Sequence, residues 1–194
     1  MDKSLVRGNI FEMNQNANKI SFDIRFNSDV NKIVFEDNTF KEQKSSISGF
    51  GGQITADSGS FELDFLNCKF IDNEQSTEGG GFQSNSQMNQ FKLTFTNCIF
   101  TNNIAKGKGG GLTINANQNV MIDWCTFIGN KAIDLNTDTK GEGGAIDISE
   151  NSETNERQIT IQNCQYENNK DDNVCSILSY SKKIMNIESC TFTL

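Results

Sequence analysis

The sequence predicts an all-β, parallel β-helix (solenoid) of about six coils with three short strands per coil, and three observations predict it. An aromatic followed by a polar corner recurs at Phe11, Phe40, Phe70, Phe100, Phe127, Tyr166 and Phe192, at intervals of 26 to 39 residues. A glycine pair leading into an apolar segment recurs between these copies. The 194 residues contain no Pro but 16 Gly and 26 Asn, which suits short strands and tight corners, because Pro cannot donate to a strand ladder while Gly and Asn tolerate left-handed backbone. Self-similarity at this period marks an array of stacked units, none of which can bury a face alone. Residues 1–194 therefore read as one elongated domain.

Alignment on the aromatic places an upstream strand in register, with inward pairs Ile33 and Phe35, Leu63 and Phe65, Leu93 and Phe95, Val120 and Ile122, Ile159 and Ile161, and Met185 and Ile187. The residues between them (Val34, Asp64, Thr94, Met121, Thr160, Asn186) give the period of two of a strand with one buried face. The second strand carries the aromatic. Two residues before it stands Cys68, Cys98, Cys125, Cys164 or Cys190, with Asn9 and Asn38 in the earliest copies, and three residues after it stands Asn14, Gln43, Asn73, Asn103, Asn130 or Asn169. The third strand follows the glycine pairs Gly51-Gly52, Gly79-Gly80, Gly109-Gly110 and Gly143-Gly144, with Ile20, Phe22 and Ile24 as the early counterpart and Cys175-Ser176-Ile177-Leu178 as the late one. Its expected outward column is Thr55, Gln83, Thr113, Asp147 and Ser179.

Coils of such an array stack about 4.8 Å apart, so equivalent residues lie over one another. Stacked inward aromatics contribute on the order of 1.5 to 3 kcal/mol each by burial, and inward Asn side chains can pair with those above and below. The longer stretches Ile133 to Gly141 and Glu150 to Gln158 read as loops extruded from a coil, where arrays place specificity.

The net charge of −8 and isoelectric point near 4.6 argue against nucleic-acid binding and against an anionic membrane surface. No stretch approaches the roughly 20 apolar residues of a membrane span, and none near Met1 has the apolar run of a signal peptide. Because the repeat runs to both ends of the chain, adjoining coils or capping subunits are expected there.

Gly143-Gly144-Ala145-Ile146 and Phe100-Thr101-Asn102-Asn103, with their equivalents, resemble the repeats of the polymorphic outer membrane protein family and, more broadly, the right-handed parallel β-helix repeat families. The resemblance covers nearly the whole chain and implies a right-handed coil and an adhesin-like role at the cell surface or in secretion. The regular Cys column and the lack of a membrane-barrel segment depart from that family.

No Cys-x-x-Cys pair and no His is present, so the aligned cysteines read as buried thiols packing as small apolar groups, and neither metal nor cofactor is expected. Cys175 lies off the column. The two outward columns carry one acid each, Asp147 and Asp64, which is no catalytic dyad; these read as solvated surface acids. Asp134-x-Asn136-x-Asp138 opens like a calcium loop but lacks Gly at the sixth position and Glu at the twelfth. Lys106 to Gly111 reads as a corner rather than a phosphate cradle. Trp124 occupies the corner slot of Asn67, Asn97 and Asn163, from which it could stack on a sugar or cap an apolar edge. None of the 26 Asn lies in Asn-x-Ser/Thr, which favours passage through a secretory pathway with the surface kept free of glycans.

These features together point to a structural, adhesive and non-enzymatic module of a cell-surface or secreted protein, contacting a protein or glycan partner through Trp124, Asp134, Asn136 and Asp138. The alternatives are a carbohydrate-active enzyme drawing on Asp123, Asp134, Asp138 and Asp147, and an intracellular scaffold within a larger assembly.

Overall fold

The computed structural model describes residues 3–12, 23–26, 32–45, 53–56, 61–75, 77–86, 91–116, 119–134, 141–149, 158–171, 176–179 and 184–193. It is a parallel β-solenoid with four ladders. The first sheet stacks Lys3–Arg7, Lys32–Glu36, Phe61–Leu66, Phe91–Thr96, Asn119–Asp123, Gln158–Gln162 and Ile184–Glu188, one strand from each successive coil, and these strands number coils 1 to 7. The second stacks Ile10–Glu12, Thr39–Lys41, Lys69–Ile71, Ile99–Thr101, Thr126–Ile128, Gln165–Glu167 and Thr191–Thr193. A third consists of two-residue strands, Lys44–Ser45, Glu74–Gln75, Ile104–Ala105 and Lys131–Ala132. The fourth stacks Asp23–Phe26, Gln53–Ala56, Phe82–Ser86, Leu112–Ala116, Ile146–Ser149 and Ile177–Ser179.

Coils 2 to 5 thus carry four strands each rather than the expected three, and coils 1 and 6 carry three among the described residues. The extra strand is the two residues that follow the inward amide. It forms because the chain must run straight for one step between the amide corner and the glycine corner, and its backbone groups pair with the coils on either side.

The core is a set of vertical columns. Ring centroids of Phe11, Phe40, Phe70, Phe100, Phe127, Tyr166 and Phe192 follow one another at 4.6 to 5.1 Å, with neighbouring planes within 9° of parallel. A second stack, Phe35–Phe65–Phe95, meets the first edge-on, and Phe82 closes against both. The offset-parallel rings within a column and the edge contacts between columns are the two arrangements that the aromatic quadrupole favours.

The fourth sheet differs from expectation in register. Gln53, not Thr55, pairs with Gln83, so Ile54 lies beside Ser84, and Leu178, not Ser179, pairs with Asp147. In the late copy no glycine pair anchors the entry, and the register places Ile177 over the inward Ile146. Asn14, Ile20, Phe22, Gly51-Gly52, Asn136, Asp138 and Cys175 lie outside the described residues.

Candidate functional site

The inward amides form a continuous ladder. Asn73, Asn103 and Asn130 each donate from Nδ2 to Oδ1 of the next Asn at 2.9 Å. Asn73, Asn103, Asn130 and Asn169 also donate to the carbonyl of Phe40, Phe70, Phe100 and Phe127 respectively. The same Oδ1 accepts the backbone N–H of the preceding Asn, so every amide is fully buried yet satisfied. Gln43 extends the column toward coil 1, its backbone N–H donating to Asn73 Oδ1 and its Nε2 to the Phe11 carbonyl.

The cysteines perform a related task. Asn38 donates to the Val6 and Glu36 carbonyls; one coil on, Cys68 Sγ donates to the equivalent carbonyls of Phe35 and Leu66. Cys98, Cys125, Cys164 and Cys190 repeat the pattern. All five are free thiols, buried except for the half-buried Cys190. Burial pushes the Cys98 thiol well above its ordinary pKa, and contact with Cys125 together with burial raises that of Cys164. Cys68 and Cys125 shift the other way, Cys68 held below the ordinary value by contact with the Cys98 thiol, and Cys125, against the effect of burial, by contact with the thiols of Cys164 and Cys98. The contacts of each Sγ with two carbonyl oxygens make the column a set of S–H donors.

Behind the glycine corners lies a polar cluster that the sequence reading misplaced. Asp147 is buried, with 0% of its surface exposed, and so are Gln83 and Thr113 above it in the column expected to face solvent. The cause is local: Gly79, Gly109 and Gly143 take φ of 60° to 67° and fold the corner back over the outward side of the strand. A Cβ on Gly79 would lie 2.7 Å from the Gln83 Cβ, so only glycine turns there. Thr113 donates to the Lys108 carbonyl, Gln83 to Glu78, and Ser149 to Asp147 Oδ1 at 2.7 Å. Lys108 pairs with Glu142 at 3.1 Å.

Burial raises the Asp147 carboxyl to about 6, against the opposing pull of the Ser149 hydroxyl and the Lys108 ammonium. Burial also works against the charge of Lys108, but Glu142, Asp147 and Glu78 outweigh it and hold its pKa above the ordinary lysine value. The cluster thus holds a carboxyl able to exchange a proton near pH 6. No Asp147 atom reaches the surface, however, so no polymer can touch it in this conformation. Asp123, on the first sheet, instead accepts a hydrogen bond from Asn163, and Asp134 is exposed beyond the third sheet. Asp123 and Asp147 thus stand on different sheets of coil 5.

The corner between the first and second sheets is left-handed in every coil, at Gly8, Asp37, Asn67, Asn97, Trp124, Asn163 and Ser189. Asn67 donates to Asp37 and Asn97 to Asn67, making a second amide ladder on the surface. Asn67 and Arg7 hold the Asp37 carboxyl below the usual range. Trp124 interrupts the ladder: it keeps the corner φ of 53° with 63% of its surface exposed, and Asn163 turns to Asp123 instead. A bulky side chain in this region is an outlier. On the same coil the next corner, filled elsewhere by Glu42, Asp72, Asn102 and Asn168, is Gly129.

Among the described residues no group of three or more His, Cys, Asp or Glu side chains could hold a metal ion, and no helix is long and apolar enough to cross a membrane. No protein-family model, curated protein or solved structure matches the chain.

Proposed function

We propose that this solenoid is a non-catalytic, adhesive segment of a cell-surface or secreted repeat protein, similar in kind to the polymorphic outer membrane protein repeats, and that coil 5 is its contact surface. The partner is a protein or a glycan, met by the Trp124 indole and by the segment that leaves the third sheet after Ala132 and returns at Gly141, with Asp134 at its start. The observation that carries this reading is Trp124 itself. Its left-handed backbone costs about 1–2 kcal/mol for an ordinary L-residue, whereas Asn is tolerated there and would continue the ladder. A strained, exposed aromatic in place of a well-suited amide is what a binding surface retains at some expense in stability.

The test compares the wild-type chain with Trp124→Asn and with a deletion of 134–140, on a glycan array and on intact cells. Binding lost in either variant, with the same circular dichroism spectrum, supports the reading; equal binding by all three proteins overturns it. Incubation with acidic polysaccharides, with and without calcium, tests the non-catalytic part, and new unsaturated or reducing ends would refute it.

A further inference from the structure

The corner between the second and third sheets carries a second surface feature, chemically unlike the first. In coils 2 to 4 its charges close on one another: Glu42 pairs with Lys41, and Glu74 accepts both Lys44 and Lys106, at 3.7, 3.7 and 3.5 Å. In coils 5 and 6 the pattern changes. Lys131 and Lys170 occupy successive coils and pair backbone to backbone, so two ammonium groups project from adjacent steps of one column. Among the described residues neither has a carboxylate within ion-pair distance. The corner residues beside them are Asn102, Gly129 and Asn168, where coils 2 and 3 have the acids Glu42 and Asp72. Two like charges one coil apart repel, and in a chain of net charge −8 a local basic pair stands against the overall field.

Between them is a space. Gly129 lacks the side chain that every other described member of its column carries, and Asn102 Oδ1 leans over the vacancy: a Cβ there would lie 2.6 Å from it. The result is a groove of about 350 Å³ lined by Asn102, Ile104, Gly129, Lys131, Asn168 and Lys170. Lysine ammoniums act as flexible point charges, selective for negative charge rather than for one planar shape. The two amides add neutral donors and acceptors, and Ile104 supplies an apolar wall. Two described acids stand nearby: Glu167, whose Oε1 accepts from Asn168 Nδ2 at 3.3 Å, and Asp171, next to Lys170 in the chain, whose Oδ2 accepts the Gly143 N–H at 2.9 Å.

We propose that this groove binds an oxyanion group, a sulfate, phosphate or carboxylate carried on a larger polar molecule, held by Lys131 and Lys170 over the notch at Gly129. The open side of the groove leaves room for the rest of that molecule. The site lies across the second sheet from Trp124, so its failure would leave the adhesive reading standing, and the reverse.

The experiment is a titration of the 194-residue chain, followed by NMR at the lysine Cε methylenes, with sodium sulfate against sodium chloride of equal ionic strength. Parallel arms use inorganic phosphate and glucuronate to separate tetrahedral oxyanions from a sugar carboxylate. Saturable shifts at Lys131 and Lys170 are expected with at least one of the three. Lys131→Ala or Lys170→Ala should weaken binding about tenfold. Gly129→Asn, which keeps both lysines and suits a left-handed corner, should weaken it to a similar degree, about tenfold, by filling the notch. Glu167→Gln should tighten it about twofold by removing a nearby negative charge. Linear shifts spread over all lysines, equal shifts with chloride, or undiminished binding in Gly129→Asn would each overturn the proposal.

Discussion

Two amide ladders stack in this solenoid, an inner one from Asn73 to Asn169 and an outer one from Asp37 to Asn97, with the same spacing and similar amide contacts near 3 Å, and it is the outer one that is interrupted, at Trp124. The inner column Asn73–Asn103–Asn130–Asn169 is buried, with no exposure except 3% at Asn169. Each internal amide there gives two hydrogen bonds and accepts two, so a replacement would leave partners on both neighbouring coils unsatisfied. The outer column Asp37–Asn67–Asn97 makes its amide links in solvent, where water can substitute for a missing partner. It accepts Trp124 in one coil and Ser189 in another. Burial, rather than the amide itself, is what holds the period.

Replacing one residue in each column gives the largest expected contrast. Asn130→Ala removes the donor to the Phe100 carbonyl and to Asn169, and orphans both N–H groups of Asn103 that point at it. At about 1–3 kcal/mol per unsatisfied buried group, the loss is about 4 kcal/mol or more, much of the stability of an ordinary domain. Asn97→Ala, on the surface, should cost only about 1–1.5 kcal/mol, most of it from the left-handed corner at φ 53° that Asn tolerates and Ala does not. Urea denaturation of both variants measures the gap, and similar midpoints would break the comparison.

The aromatic column sharpens it by varying burial at constant chemistry. Phe100→Ala empties a site between Phe70 and Phe127 and should cost about 3–5 kcal/mol, whereas Phe192→Ala removes a ring that is 53% exposed and should cost about 1 kcal/mol. Equal losses in thermal or urea unfolding would show that the interior is not the tight stack described.

These contrasts also explain what could be read in the sequence. Asn103 and Phe100 recur because each must meet its own kind one coil away, so their columns are printed in the chain at the repeat period. The third sheet was not legible. Its pairs Lys44-Ser45, Glu74-Gln75, Ile104-Ala105 and Lys131-Ala132 are too short to show alternation and share no chemistry in their first position. Nor was the burial of Asp147, because parity correctly places it outward on its strand while the corner that covers it is supplied by Glu142 and Gly143, a tertiary effect. The slot of Trp124 was legible from its Asn neighbours, but the groove over Gly129 was not, since a glycine after Phe-Ile reads only as a turn.

Asp147 is the charged one among several interior groups, Thr94 and Tyr166 included, that lack full pairing, because its Oδ2 has no hydrogen-bond partner. Its folded pKa of about 6 lies above the ordinary 3.8, so between these values the folded chain binds more protons than the unfolded one. The contribution of this group is therefore most favourable below pH 4 and declines as pH rises through 6. Asp147→Asn should remove that decline and stabilise the protein by about 2–3 kcal/mol at pH 7, relative to the effect of the same change at pH 4. Urea midpoints at the two pH values, compared between wild type and variant, check the sign. A constant difference between the two proteins would mean that the carboxyl titrates normally.

The smallest effect tests the interruption in the outer ladder. Trp124→Asn places at φ 53° a residue that tolerates this region, and returns an amide to the step between Asn97 and Asn163. Relief of the backbone strain favours the variant by about 1 kcal/mol. Loss of the apolar contacts of the indole opposes it only weakly, because the side chain is mostly in water. A modest rise in melting temperature is expected, together with the loss of partner binding. If the variant is instead less stable than wild type, the indole is serving as a cap on the corner, and the contrast between a fixed inner column and a free outer one fails at the coil where it matters most.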